Sequence, residues 1–186
     1  MRIISGKFKG MKLNLPNEQF TRPLRDLVKE SIFNILEHSN ILKLNIKGSK
    51  VLDLFSGSGS FGLECFSRGA KSVDFVENQA DTLIVLKKNI ERLNAKDSCE
   101  IMKKDCFNYF DKPKKSLKKY DIIFLDPPYK ELKIFKLVEK IKNKEFLNEK
   151  GILIVHRHKN DKAKITPQLK IFEERTYGVS KIIIGN

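Results

Sequence analysis

The decapeptide Tyr120-Asp121-Ile122-Ile123-Phe124-Leu125-Asp126-Pro127-Pro128-Tyr129 decides how the rest of the chain is read. Its first half is a short apolar run, Ile122 to Leu125, between two acidic residues. That length, with its β-branched and aromatic content, suits a strand buried on both faces of a sheet. The second half cannot continue the strand. Two prolines remove two backbone donors, fix φ near about −65° and push the residue before each of them toward an extended conformation. The expected product is a rigid corner at the carboxyl end of the strand, with a carboxylate at its start and an aromatic ring at its end. Such a corner suits a planar ring carrying an exocyclic amino group. The Asp126 carboxylate and the Pro127 carbonyl can accept its two N–H bonds, and Tyr129 offers a stacking face worth ~1–3 kcal/mol per base. Pro128 stands beside them as a candidate substrate contact. A plain turn uses the same residue types, so the motif takes its meaning from what surrounds it.

From residue 50 onward strands alternate with helices. The strand expectations are Val51 to Phe55, Ser72 to Glu77, Cys99 to Lys103, Tyr120 to Leu125 and Gly151 to Val155, then Leu169 to Arg175 and Val179 to Ile184. Helices are expected at Phe61 to Arg68, Gln79 to Leu93 and Leu132 to Lys142, the second with Leu83, Ile84, Leu86, Ile90 and Leu93 as its apolar positions. This alternation predicts a Rossmann-like α/β fold, a seven-stranded and mostly parallel sheet with helices on both faces. Ligands of such sheets bind outside the carboxyl ends of the strands. Asp53, Glu77, Asp105 and Asp126 all fall at or near those ends and are expected on one edge.

Upstream, residues 1–45 read as an appendage to a domain of residues 46–186. Gly6, Gly10 and Pro16 punctuate a small β-ribbon carrying Lys7, Lys9 and Lys12. A helix is expected to start at Thr21-Arg22-Pro23, with proline tolerated in the first turn and an apolar stripe of Leu24, Leu27, Val28, Ile32, Ile35 and Leu36. Lys7, Lys9, Arg22 and Arg25 are candidate nucleic-acid contacts. The lysine-rich stretch of residues 111–119 reads as a solvated loop or, alternatively, as a phosphate contact.

Gly57-Ser58-Gly59-Ser60-Phe61-Gly62 is a GxGxxG between a strand and a helix, with Glu77 twenty residues after Gly57. It fits a dinucleotide fingerprint, but Asp53 in the preceding strand would repel a pyrophosphate. A ligand without phosphate and with a cationic amino-acid end fits better, and S-adenosylmethionine is such a ligand. Asp53 would meet its ammonium, Gly57 and Gly59 would admit it close to the backbone, and Glu77 would take its ribose hydroxyls. Asp105 would accept from the adenine amino group while the Cys106 N–H meets a ring nitrogen. Phe55 and Asn78, beside the loop and Glu77, complete this set.

The formal charge of +14 over 186 residues favours a polyanionic partner. No run approaches the ~18 apolar residues of a membrane span. The three cysteines are odd in number and lack CxxC spacing, and the three histidines are scattered. These features argue against a disulfide framework and against a metal site, and point to a cytoplasmic protein.

At this point the sequence resembles the class I methyltransferases with a (D/N/S)PP(Y/F/W) corner, and more closely the RsmD family of 16S rRNA guanine-N2 methyltransferases. The resemblance runs through Arg2-Ile3-Ile4-Ser5-Gly6-Lys7-Phe8-Lys9-Gly10, Thr21-Arg22-Pro23, Asp53-Leu54-Phe55-Ser56-Gly57-Ser58-Gly59, Val76-Glu77 and Asp126-Pro127-Pro128-Tyr129. It implies methyl transfer from S-adenosylmethionine to N2 of one guanine in 16S rRNA, within the assembled small ribosomal subunit, by a monomer. Asp126, Pro127 and Tyr129 would then be the catalytic residues. The tail departs from the pattern: His156-Arg157-His158 stands where such enzymes often carry a glutamate, a change expected to alter the substrate-side rim. The alternatives are an adenine-N6 or cytosine-N4 methyltransferase of DNA or another RNA, and a noncatalytic RNA-binding assembly factor.

Overall fold

The computed structural model describes residues 1–16, 24–42, 44–111, 118–143, 145–161 and 169–186. Its centre is the predicted seven-stranded sheet. The strands are β1 (Lys50–Leu54), β2 (Ser72–Glu77), β3 (Cys99–Lys103), β4 (Tyr120–Leu125), β5 (Leu147–His158), β6 (Ile171–Tyr177) and β7 (Ser180–Gly185). They lie in the order β3-β2-β1-β4-β5-β7-β6. The first five pair in parallel, and β7 runs antiparallel between β5 and β6. Strand order reverses between β1 and β4, the switch point at which ligands of open α/β sheets bind.

Side chains alternate across the strands, and both faces are buried, as the apolar run in β4 predicts. Ile122 and Phe124 join Val51, Phe75 and Ile154 on one face, while Ile123 and Leu125 join Leu52, Leu54 and Val155 on the other. The first face is covered by α1 (Asp26–His38), α2 (Ser60–Ser67) and α3 (Ala80–Arg92), and the second by α4 (Cys106–Tyr109) and α5 (Ile134–Asn143). α2 is stopped by Gly69 at φ +95°, which lets its own N–H reach Phe66 O (2.9 Å) and that of Ala70 reach Cys65 O (3.0 Å).

The N-terminal segment forms the expected small antiparallel ribbon, with Ile3 N–H donating to Met11 O (2.9 Å), Gly10 N–H to Ile3 O (2.9 Å) and Leu13 N–H to Met1 O (3.2 Å), and it packs into the first face. Its one β-bridge is Arg2 to Lys12. The backbone donors that would build a longer ladder go to α2 instead. Ile4 and Ser5 N–H donate to the Glu64 carboxylate (2.7 and 2.9 Å), and Lys7 and Phe8 N–H donate to Ser67. Glu64 is fully buried and also meets Lys29 (3.6 Å) and Arg68 (2.9 Å). Burial pushes the Lys29 ammonium below its ordinary value, and Glu64 opposes that shift. A stack of Phe33, Phe61 and Phe124, with centroids 5.2 and 4.0 Å apart, carries the contact from α1 through α2 to the sheet.

Three details depart from the sequence expectations. α1 begins at Asp26 with Arg25 as its N-cap, whereas the expected cap at Thr21-Arg22-Pro23 lies outside the described residues. Leu27 and Ile84 are 68% and 55% exposed, so the buried stripes are Leu24, Val28, Ile32, Phe33 and Leu36 along and just before α1, and Leu86, Ile90 and Leu93 along and just after α3. β5 runs through His158 instead of ending at Val155, because β7 pairs with it as far as His158 opposite Ser180. Of the lysine-rich loop, residues 112–117 lie outside the described set, while Lys118 pairs with Asp74 and Glu100. No helix among the described residues is long and apolar enough to cross a membrane.

Candidate active site

A cleft of about 660 Å³ opens across the carboxyl ends of β1, β2 and β4. Asp53, Glu77, Asp105 and Asp126 all line it, as their positions at strand ends predict. Phe55, Gly57, Asn78 and Cys106 lie on the same wall as the first three, and Pro127, Pro128 and Tyr129 on the wall with Asp126. The other ionisable side chains of the lining among the described residues include Lys130, Glu131 and His156. The cleft is therefore acidic in a basic protein.

On the first wall the carboxylates are pinned by nearby backbone. Glu77 accepts from Gly57 N–H (3.0 Å), Asn78 N–H (2.8 Å) and Gln79 N–H (3.0 Å), which ties the glycine loop to the end of β2. A carboxylate offers about four lone-pair sites, so one remains for a ligand hydroxyl. Asp105 caps α4 by accepting from Phe107 and Asn108 N–H (2.9 and 3.1 Å) through Oδ1. Asp53 accepts from Gly62 N–H (2.9 Å), and burial pushes its carboxyl well above the ordinary carboxylate range. That hydrogen bond works against the shift, while the charges of Asp126 and Glu77 add to it.

The glycines divide by role. Gly57, at φ +56°, lines the cleft, and a Cβ there would make only an ordinary contact with Phe55 O at 4.0 Å. Gly59 is not part of the lining. It sits at the N-cap of α2 with φ +79°, and a Cβ there would come within 2.5 Å of Leu86 Cδ1 on α3, so its requirement is packing. Phe55 adopts φ +59°, rare for a bulky residue, and turns its ring edge-on to Phe107 at 6.1 Å. Its N–H donates to Cys106 Sγ (3.3 Å), and burial raises the Cys106 thiol above its ordinary value, which leaves it uncharged beneath the loop.

The second wall is the Asp126-Pro127-Pro128-Tyr129 corner, and side chains of β5 hold it. His156 Nδ1 lies 2.8 Å from Asp126 Oδ1, and its Nε2 lies 3.4 Å from the Tyr129 hydroxyl. Arg157, only 1% exposed, donates to the carbonyls of Pro128 (3.1 Å), Tyr129 (3.2 Å) and Glu131 (2.9 Å) and ion-pairs with Asp161. The His158 ring meets the Tyr129 ring edge-on at 5.2 Å. Asp126 thus presents one oxygen engaged by an imidazole, with the other free of any such contact to His156.

The family model described as Conserved hypothetical protein 95 matches residues 1–186. The ribosomal RNA small subunit methyltransferase D of Haemophilus influenzae is 33% identical over 181 residues, covering 96% of this chain and 90% of that protein. The protein of the same name from Buchnera aphidicola is 32% identical, covering 91% and 90%. The chain belongs to this family of small subunit methyltransferases. A solved Haemophilus influenzae structure assigned as a methylase superposes on it with a TM-score of 0.78 at 30% identity, covering 100% of this chain and 97% of that one.

For this family member, two of the basic candidates named from sequence lie away from the cleft. Lys7 and Lys9 are exposed beside the carboxyl end of α2, since Lys7 N–H bonds Ser67 O (2.8 Å). That is a helix length from the cleft, roughly 12 Å at about 1.5 Å per residue. Arg25 is exposed at the start of α1, next to Leu24 in the lining. Arg22 lies outside the described residues. Sequence reasoning missed Phe107 and the roles of His156 and Arg157. The one signal for the latter pair was the departure of His156-Arg157-His158 from the expected glutamate.

Proposed function

We propose that this chain transfers a methyl group from S-adenosylmethionine to the exocyclic N2 of a guanine in 16S rRNA, acting as a monomer on the small ribosomal subunit. Family membership supports rRNA methylation with that donor. The observation that carries the finer reading is the single cleft in which Asp53, Glu77 and Asp105 face the Asp126 corner.

The donor fits the first wall on this structure's own terms. A buried carboxyl raised by burial is one that a cationic group would return to its charged form, and Asp53 is in that state. Glu77 and Asp105 would hold the ribose and the adenine amino group. When bound, S-adenosylmethionine supplies a methyl group on a positively charged sulfur. The protein's own residues do the rest. Asp126 and the Pro127 carbonyl accept the two amino N–H bonds and stabilise positive charge developing on nitrogen. Tyr129 stacks on the base, offsetting part of the few kcal/mol needed to unstack it. Positioning supplies much of the remaining rate.

The test is transfer of labelled methyl to unmodified small subunits, naked 16S rRNA, duplex DNA and protein, with the product nucleosides identified by mass spectrometry. N2-methylguanosine from the subunit or its rRNA is expected. Label confined to adenine, cytosine or protein would overturn the substrate assignment.

A further inference from the structure

The geometry points to His156 as a positioning residue for the Asp126 carboxylate, one that works only as the neutral imidazole with its proton on Nδ1. The inference rests on the proposed function and deepens it. An anionic Asp126 oxygen 2.8 Å from Nδ1 requires an N–H there. In the neutral ring that leaves Nε2 bare, 3.4 Å from the Tyr129 hydroxyl, which would donate to it. With Oδ1 engaged, Oδ2 is the oxygen left to accept from the substrate amine. Pairing 30 residues apart in sequence, and 5% exposure of His156, fix the carboxylate plane before substrate arrives.

The same arrangement accounts for the proton. As the amine nitrogen forms its bond to the methyl carbon, the carbon–sulfur bond breaks with its electron pair kept by sulfur, and nitrogen carries the positive charge. The N–H bond to Asp126 Oδ2 then breaks, its pair returns to nitrogen, and the proton rests on the carboxyl oxygen until water takes it. A protonated imidazole would oppose both steps. It would draw the carboxylate's charge toward Oδ1 and add a second positive charge beside the developing one.

The charged and titratable groups facing His156 are few. From the corner come Asp126, Tyr129, Lys130 and Glu131, and from β1 and β2 Asp53 and Glu77 across the cleft. On its own strand Arg157 is turned to Asp161 and three carbonyls, and His158 to the Tyr129 ring. Opposite it on β7 stands the apolar Ile182, with Lys181 beside that.

Two readouts test this. Imidazole nitrogen shifts of the full chain, with His156 assigned by its loss in His156→Asn, should show Nδ1 protonated and Nε2 bare at neutral pH. That preference should disappear in Asp126→Ala. A wild-type protein with its proton on Nε2 would overturn the inference without any reference to turnover. In methyl transfer, kcat should fall as the imidazole is protonated. His156→Asn, whose amide nitrogen sits where Nδ1 does, should keep most of kcat at high pH and lose that acid limb. His156→Gln, which cannot place a donor there, should lower kcat about tenfold to a hundredfold with binding of S-adenosylhomocysteine unchanged. An acid limb that survives in His156→Asn, or a normal kcat in His156→Gln, would also sink it. If the unmodified chain transfers no methyl at all, the proposed function falls, and the nitrogen shifts alone decide the Asp126 pairing.

Discussion

On the cofactor wall, Glu77, Asp105 and Asp53 are held by backbone N–H groups, most of them one to three residues away, with Gly62 nine residues from Asp53 and Gly57 twenty residues from Glu77. On the corner wall, Asp126 and the Pro128, Tyr129 and Glu131 carbonyls are held by side chains of β5 lying 26 to 30 residues further along the chain. The first wall forms once β2 has docked beside β1 across α2. The second exists only once β5 has docked beside β4. A wall fixed by its own backbone tolerates change in distant side chains, whereas a wall fixed from a neighbouring strand does not. The two should therefore fail differently when perturbed.

The largest effect is expected at Arg157. Replacing it with leucine would remove its hydrogen bonds to the Pro128, Tyr129 and Glu131 carbonyls and its ion pair with Asp161, and removing one partner of a buried ion pair costs about 3–5 kcal/mol. Urea unfolding should show that loss. Arg157→Lys should recover only part of it, because an ammonium lacks the planar fork. An Arg157→Leu protein of ordinary stability would mean that the corner holds itself, and the contrast between the walls would collapse. Next comes Asp126→Ala. It should lower kcat by about 10²–10³, the range for losing one preorganised partner of developing charge, with calorimetric binding of S-adenosylhomocysteine nearly intact. Near-normal turnover would show the chemistry to be misassigned. Smaller again is Glu77→Gln, which turns one acceptor oxygen into a donor facing an N–H. Hydrogen bonds to charged groups contribute about 1.5–3 kcal/mol, so S-adenosylhomocysteine should bind roughly tenfold to a hundredfold more weakly, with stability changed less than in Arg157→Leu.

The same contrast explains what the sequence made legible. Strand order and the edge on which four carboxylates meet follow from apolar runs and strand ends, which are local signals. Asp53, Glu77, Asp105 and Asp126 were placed correctly for that reason. The N-terminal ribbon was legible from its glycine punctuation and pairs through Ile3, Gly10 and Leu13, but the docking of its other donors on Glu64 and Ser67 was not, because those partners lie about 60 residues away. The end of β5 was under-read, because a His-Arg-His run looks like a surface. Only the partners waiting on the corner make His156 and Arg157 buried residues. Gly59 shows a third limit: the motif marks it as a ligand contact, while its missing side chain makes room for Leu86.

The smallest effect separates the walls by pH. Burial raises the Asp53 carboxyl, so the empty protein keeps a proton there that the unfolded chain has already released. Stability from this group is fully present below the ordinary carboxylate range and is lost as pH rises through the raised value. A cationic ligand needs the charged form, so its affinity should run the other way, rising with pH over the same interval by at most about tenfold per unit. Melting temperatures with and without S-adenosylhomocysteine across the acid-to-neutral range should therefore show opposite slopes: falling for the empty protein, and a ligand-induced increment that grows. Asp53→Asn should flatten both. His156 lies on the other wall, so His156→Asn should flatten neither while removing the acid limb of kcat. If the increment instead followed His156, the ligand's cation would sit at the corner, and the division of the cleft into a cofactor wall and a substrate wall would have to be reversed.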